Sequence, residues 1–529
     1  MSTIDQQFAE EILKTETGDV RSLNLYENIL VGTLAISWAL FQLTLAGFLV
    51  LDSTKVRAIH LAFAMALLFL LAPSLKRQHK YFRFLSVHHR IPCMDYILAL
   101  GGSLAALYIV FDYSGLALRA GAPITRDLLA GTILVLLLLE AARRIIGPAL
   151  PIIALFFTAY AFLGPFMPDL FAFKGVSISK YLSNITLSTE GIYGIPLGVS
   201  ASIVYLFVLL GALLDKAGAG RFFTNLALSV LGKYKGGPAK AAVLSSGATG
   251  LVSGSSIANI VTTGPFTIPL MKKIGYPAEK AAAVEVASST DGQLMPPIMG
   301  AAAFIIAEYV NVPYLDVVKA AVIPALVSYF GLFCITHLEA SKLGIKGLAA
   351  PDIPKFILTL KDGMHYLVPL AVLLYELVIL RHSPEQAAFR AILVLFAIIF
   401  FQEIRRAHRA QAGFLIGLKH AVIIIGTGMI QGSKNMMSVA LACAAAGIIV
   451  GVVNMGIGGM IAQIVETLAM GNIYFLLAIT ALASLLLGMG LPTTATYIVM
   501  ASLTAPTSIS ASWLMIPRLS DWLPMPPPP

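Results

Sequence analysis

Residues 250–266 read GLVSGSSIANIVTTGPF. Glycine, proline, hydroxyls and an amide crowd one short stretch of a chain that is otherwise apolar. The 529 residues are 58% hydrophobic and only 12% charged, where a soluble chain carries about a quarter charged residues. Apolar runs near the ~20 residues that cross a bilayer core recur at 28–51, 58–74, 94–112, 127–142, 148–164, 196–214, 318–337, 366–380, 388–402, 436–456 and 474–506, with broken stretches at 241–270 and 281–310. None of these runs alternates apolar and polar residues as barrel strands do. The pattern therefore predicts an all-α polytopic membrane protein.

Charge orients it. Lys76, Arg77, Lys80, Arg83 and Arg90 lie in a loop without acids, and basic loops stay in the cytoplasm. Two spans precede that loop, so the N-terminus is expected inside as well. Counting onward places Arg143, Arg144, the 215–240 loop and Arg405 to Arg409 inside, and the lysine-poor 165–195 loop outside. The count and the charges agree only if 241–270 enters from the cytoplasm and returns there, as a re-entrant hairpin. The net charge of +9 follows from these basic loops rather than from nucleic-acid binding. The polar, acidic first residues lack the form of a cleavable signal, and Cys93, Cys334 and Cys443 are too scattered for a disulfide framework. The 413–433 segment reads as an interfacial helix leading into the next span.

An internal repeat follows. VLLGALLDKAGAGRF (208–222) is echoed by IIVGVVNMGIGGMI (448–461), with Gly211, Asp215 and Gly218 matched by Gly451, Asn454 and Gly458. VSGSSIANIVTTGPFTIP (252–269) aligns with MGLPTTATYIVMASLTAP (489–506) at constant offset. The two copies enter the membrane from opposite sides. Inverted repeats with interrupted helices are the build of secondary transporters, which bind substrate and ions near the midplane. Irregular backbone at membrane depth is tolerated where protein or water surrounds it. That accounts for the opening stretch.

The candidate ion and substrate ligands come from three places. In the first hairpin they are Ser253, Gly254, Ser255, Ser256 and Asn259, whose oxygens suit a hard cation. In the second broken stretch they are Asp291, an acid at membrane depth, with Gly292, Pro296 and Pro297, which release backbone carbonyls. In the second repeat they are Gly488, Gly490, Pro492, Thr493, Thr494 and Thr496. The rival reading of both hairpins is close helix packing by small residues; for Asp291 it is a pair with a lysine such as Lys280. Glu140 is expected to pair with Arg143 and Arg144, and Glu376 with Arg381. No nucleophile elbow, zinc spacing or complete phosphate loop is present, so an enzyme is not expected.

The stretch from 245 to 309, with LACAAAGIIVGVVNMGIGG and LLLGMGLPTTATYIVMASLTAP, resembles TRAP transporter permeases, and most closely the fused membrane subunit of the TAXI subgroup. The resemblance covers 148–506, with 28–147 similar to the small four-helix subunit, behind a cytoplasmic segment 1–27. The permease region would hold repeats at about 190–340 and 413–506. The resemblance implies an importer of the bacterial inner membrane that takes a small organic anion, typically a carboxylate, from a periplasmic binding protein of TAXI type. It implies elevator movement driven by Na+, with protons as the other coupling ion, and no cofactor beyond that ion. The family pattern stops after Pro506. Residues 507–529, with two tryptophans and terminal prolines, read as a non-native tail, leaving the second repeat incomplete. The alternatives are a stand-alone anion symporter of similar hairpin architecture and a non-functional truncated permease.

Overall fold

A computed structural model describes residues 21, 23–74, 90–168, 171–253, 256–411, 413–470, 472–489, 491 and 493–503. The described residues are helical, without strands, and nine of their helices are long and apolar enough to cross a membrane. The chain divides into two units, 1–111 with 197–441, and 112–196 with 442–529.

In the first unit, α1 (Leu25–Gly47) and α2 (Ser53–Leu71) pack against α4 (Ile195–Ala217), α3 (Cys93–Phe111) packs on α2, and α1 also meets the first part of α12. Asp52 caps α2 by accepting from the Thr54 amide at 2.9 Å, satisfying one of the free N–H groups that every helix start exposes. Buried Trp38, His60 and Tyr205 stack edge to face at the α1–α2–α4 junction. The His60 ring bonds Gln42 (2.8 Å) and Ser200 (3.0 Å). Ser200 opens a π turn, Ser200–Val204, within α4; such a turn marks an irregularity in the i→i−4 ladder. The Tyr205 hydroxyl meets Ser433 at 2.5 Å, and Ser433 donates to the Ala35 carbonyl. The polar side-chain atoms of His60, Tyr205 and Ser433 in this seam thus have partners, whereas the buried Trp38 Nε1 has none among the described residues.

After α4 the chain turns at Gly218 into α5 (Ala219–Leu231). Gly218 has φ +107°, and its N–H closes α4 on the Leu214 and Asp215 carbonyls. A side chain is strained in that region by roughly 1–2 kcal/mol, and a Cβ there would also press on the Tyr366 hydroxyl at 3.1 Å. Gly218→Ala should lower stability by about that amount, read as a fall in the thermal midpoint in detergent. There follow α6 (Gly237–Ser253), α7 (Ser256–Lys273), α8 (Ala278–Asp291), α9 (Ala301–Val310), α10 (Tyr314–Lys342), α11 (Pro384–Arg409) and α12 (Phe414–Val452). The 39 residues of α12 run without interruption, so the segment at 413–433 and the following span form one helix instead of an interfacial helix and a separate span. Gly428 and Gly432 let it approach α4; Cβ atoms there would lie 2.7 Å from the Leu213 side chain and 3.0 Å from that of Leu209.

In the second unit the 442–452 end of α12 packs on the turn after Ile178–Thr186. Gly447 and Gly451 lie directly on the Gly191 backbone. Asn184 donates to the Gly451 carbonyl (3.2 Å) and Asn454 to Glu190 (3.0 Å). A left-handed glycine turns this copy of the repeat too, but it is Gly456 (φ +123°), two residues before the matched Gly458. Glu140 holds Arg143 and Arg144, each at 2.8 Å. In the first unit, Glu376 reaches Arg390 (2.8 Å) and His382 (2.5 Å) rather than Arg381.

Candidate functional site

The stretch that opened the sequence reading forms the end of α6 and the start of α7. These two helices fold back on each other, and α8 packs along both. Their seam is polar. Asn259, fully buried, accepts from the Thr249 hydroxyl at 2.5 Å and donates to the Ser246 carbonyl (2.7 Å) and hydroxyl (2.9 Å). One amide thereby ties the two arms together near their joined ends. Backbone meets backbone on the same face of α6, one turn further along. A Cβ on Gly250 would lie 2.8 Å from the Gly292 Cα, and one on Gly292 2.9 Å from the Gly250 Cα. Only glycine at both positions permits this approach.

Beyond Asp291 a single 3-10 turn, Gly292–Leu294, ends the helix. Met295 to Gly300 are non-helical before α9 begins. Two prolines cannot supply the N–H groups a helix would need there. The 14 residues of α8 reach about 21 Å and the ten of α9 about 15 Å; neither alone spans a core of about 30 Å. The freed carbonyls of Pro297 and Ile298 accept from the Tyr314 hydroxyl. Asp291 is half-buried and accepts from Ser328 of α10 at 2.7 Å. The pairing with Lys280 is not made, because Lys280 turns to Glu339.

Of the residues singled out in the sequence, Asn259 and Gly292 are thus brought to one seam, with Asp291 beside them and Pro296 in the break that follows. Ser253 ends α6 and Ser256 starts α7. Gly254 and Ser255 lie outside the described residues, as do Gly490, Pro492, the basic positions Lys76 to Arg83 and the tail 507–529. In the second unit Gly488 ends the helix Ile473–Gly488 and is exposed. Thr493, Thr494 and Thr496 lie on the short apolar helix Thr493–Leu503. Thr494 is buried, and the Thr496 hydroxyl donates to the Leu491 carbonyl at 3.3 Å.

One functional group escaped the sequence reading. Glu285 of α8 is completely buried, and no basic side chain among the described residues pairs with it. Hydroxyls surround it instead. Thr263 donates to one carboxyl oxygen, which Ser246 and Ser289 also approach at 3.4 Å; Thr267 donates to the other at 2.6 Å. Ser246 and Ser289 bond each other at 2.8 Å. The donors come from α6, α7 and α8, so this one carboxyl group fastens the hairpin to the broken helix. No cluster of three or more His, Cys, Asp or Glu among the described residues could hold a metal ion. The seam is lined by carboxyl, hydroxyl and amide oxygens, which are hard ligand atoms.

Residues 133–513 match the family model described as the tripartite ATP-independent periplasmic transporter, DctM component. The chain belongs to this family. DctM proteins are transporter permeases and not enzymes, and the apolar helices make this a multi-pass membrane protein. Among curated relatives, the chain is 26% identical to the C4-dicarboxylate TRAP transporter large permease protein DctM of Pseudomonas aeruginosa, over 37% of this chain and 45% of the relative. It is 22% identical to the uncharacterized protein YgiK of Salmonella typhimurium, over 38% of this chain and 46% of the relative. It is 26% identical to the isethionate TRAP transporter permease protein DctMQ of Oleidesulfovibrio alaskensis, over 34% and 30%. The chain spans less than half the length of these relatives.

Proposed function

We propose that this DctM-family chain is the membrane permease of a TAXI-type importer, which takes up a small organic anion delivered by a periplasmic binding protein and is driven by a sodium gradient. It sits in the bacterial inner membrane with its N-terminus in the cytoplasm, where the basic loops also lie. The observation that carries this reading is the α6–α7 hairpin seated on a broken helix through the Gly250–Gly292 contact. Around that contact are Asn259, the Asp291 carboxylate and the carbonyls freed between Met295 and Gly300. Carboxylate, amide and carbonyl oxygens are the ligands a hard cation takes, and helix interruptions at matching positions of two repeats are where carriers bind. An anion class of substrate agrees with the printed names of two relatives, a C4-dicarboxylate and an isethionate permease protein. Ser253 to Ser256 complete the first cation site, and Gly488 to Thr496 form the mirrored one.

The test is uptake of radiolabelled small carboxylates into proteoliposomes holding the full chain, with a periplasmic TAXI-type binding protein added. Uptake should require both the binding protein and an inward sodium gradient. Asp291→Asn should raise the half-saturating sodium concentration at least tenfold, about 1.4 kcal/mol of lost cation affinity, while leaving binding-protein dependence intact. Uptake without the binding protein would point to a stand-alone symporter. Uptake indifferent to sodium in both proteins would remove Asp291 from the cation site.

A further inference from the structure

Glu285 has a second property, which comes from its proton inventory. A carboxylate withdrawn from water without a cationic partner is costly unless hydrogen bonds meet its charge. Here four hydroxyls meet it, and each hydroxyl has one proton to give and two lone pairs to accept with. Thr263 can turn its proton from Glu285 to the Asn259 carbonyl, 2.9 Å away. Thr267 can turn its own to the Thr263 carbonyl, 3.1 Å away. Both alternative acceptors lie one helical turn earlier on α7. With the carboxyl ionised, the Thr263 and Thr267 protons and one of the two serine protons point at it, the other serine proton holding the Ser246–Ser289 bond. With the carboxyl neutral, its O–H donates to the Thr263 oxygen, whose own proton moves to the Asn259 carbonyl. Both charge states are satisfied by rotating hydroxyls, without moving a helix. A fixed basic partner would favour one state alone.

A cavity lies close to the cage. It has a volume of about 30 Å³ and is lined by Asp215, Gly220, Thr249, Asn259 and Thr262, with room enough to admit a water molecule. Asn259 lines the cavity and holds Ser246, and Ser246 approaches the carboxyl. A water in the cavity would therefore be two side chains from Glu285. The charged and titratable neighbours are engaged elsewhere. On α8, Asp291 accepts from Ser328 and Lys280 binds Glu339. On α6, Lys240 lies 2.9 Å from His337 of α10. On α7, Lys273 faces Asp352 at 3.6 Å. On α10, the Tyr329 hydroxyl donates to the Ser288 carbonyl at 3.3 Å. On α4, Asp215 stands at the cavity.

We propose that the Glu285 carboxyl is an exchangeable proton-binding site, loaded from and emptied into water through the cavity bounded by Asp215 and Asn259. One proton passes from water to a carboxylate oxygen and returns to water; no other bond changes. The proposal rests on the carrier reading above: the carboxyl sits one side chain, Ser246, away from the sodium ligand Asn259, so it adds proton sensitivity to that carrier.

Binding can be tested without transport. The probe is pH alone, applied to the purified full chain in lipid nanodiscs and read by difference infrared spectroscopy in H2O and D2O. The wild type should show a protonated-carboxyl C=O band that gives way to carboxylate bands as pH rises. Glu285→Gln, which keeps size and hydrogen bonding, should lose that band. Glu285→Asp should keep it at a shifted frequency, and Asp291→Asn should keep it unchanged. In proteoliposomes Glu285→Gln should also flatten the pH profile of uptake. A wild-type minus Glu285→Gln difference spectrum that contains no titrating carboxyl band would overturn the proposal. A band lost in Glu285→Gln, in a wild type that transports nothing, would support the proton site and count against the importer reading alone.

Discussion

Gly250→Val is expected to be the most damaging single substitution in the hairpin. The valine Cβ would start 2.8 Å from the Gly292 Cα and 3.1 Å from the Asn259 amide nitrogen. The first of these is backbone, so no side-chain rotation relieves the clash, and the γ carbons add to it. Overpacking typically costs 1–3 kcal/mol. Here about 3 kcal/mol or more is expected, because Asn259 must also give up bonds to Ser246 while still buried. The thermal midpoint in detergent should fall, and any uptake should be lost. Gly331→Ala on α10, where a Cβ meets nothing within 4 Å, is the matched control and should behave as wild type. Equal stability of the two variants would mean that α6 does not lie on Gly292.

The second large effect is expected at Glu285. Glu285→Ala removes the acceptor on which hydroxyls of three helices converge and leaves a cavity in a fully buried place. Thr263 and Thr267 can fall back on carbonyls of their own helix, so the loss comes mainly from the cavity and from the broken tie between α7 and α8. About 2–4 kcal/mol is expected, seen as a lower midpoint and as faster proteolysis between α7 and α8. Glu285→Gln keeps shape and hydrogen bonding and should stay within about 1 kcal/mol of wild type. If the alanine variant is as stable as the glutamine variant, the carboxyl does not fasten the hairpin.

The architecture could be read from the sequence because the bilayer imposes a length. Apolar runs such as 28–51 and 388–402 must be helices; α1 covers the first as far as Gly47 and α11 the whole of the second. Sequence also locates the hairpin and the break after Asp291, since hydroxyls, glycines and a double proline inside apolar surroundings have few other structural uses. It did not reveal what the glycines of 413–433 do. There they look like interruptions, yet Gly428 and Gly432 serve close packing on α4 within an unbroken helix; a glycine that breaks a helix and one that lets two helices touch leave the same letter. Arg381 lies near Glu376 in sequence but falls in a left-handed turn (φ +53°), and the next helix brings Arg390 instead. Glu285 went unread because its partners come from 246, 263, 267 and 289, and only the fold joins them. The trace that was present is periodic. Thr263 and Thr267 are one turn apart, as are Glu285 and Ser289, which places hydroxyls on one face of each helix.

The central claim is that the seam between the α6–α7 hairpin and the broken α8–α9 segment holds a coupling cation. Equilibrium binding of radioactive sodium to the purified chain, with no binding protein and no substrate, tests it most directly. The account predicts saturable binding that unlabelled sodium displaces, that Asp291→Asn weakens at least tenfold and that Gly331→Ala leaves unchanged. Sodium binding that is absent, or equally strong in the Asp291→Asn protein, would contradict it.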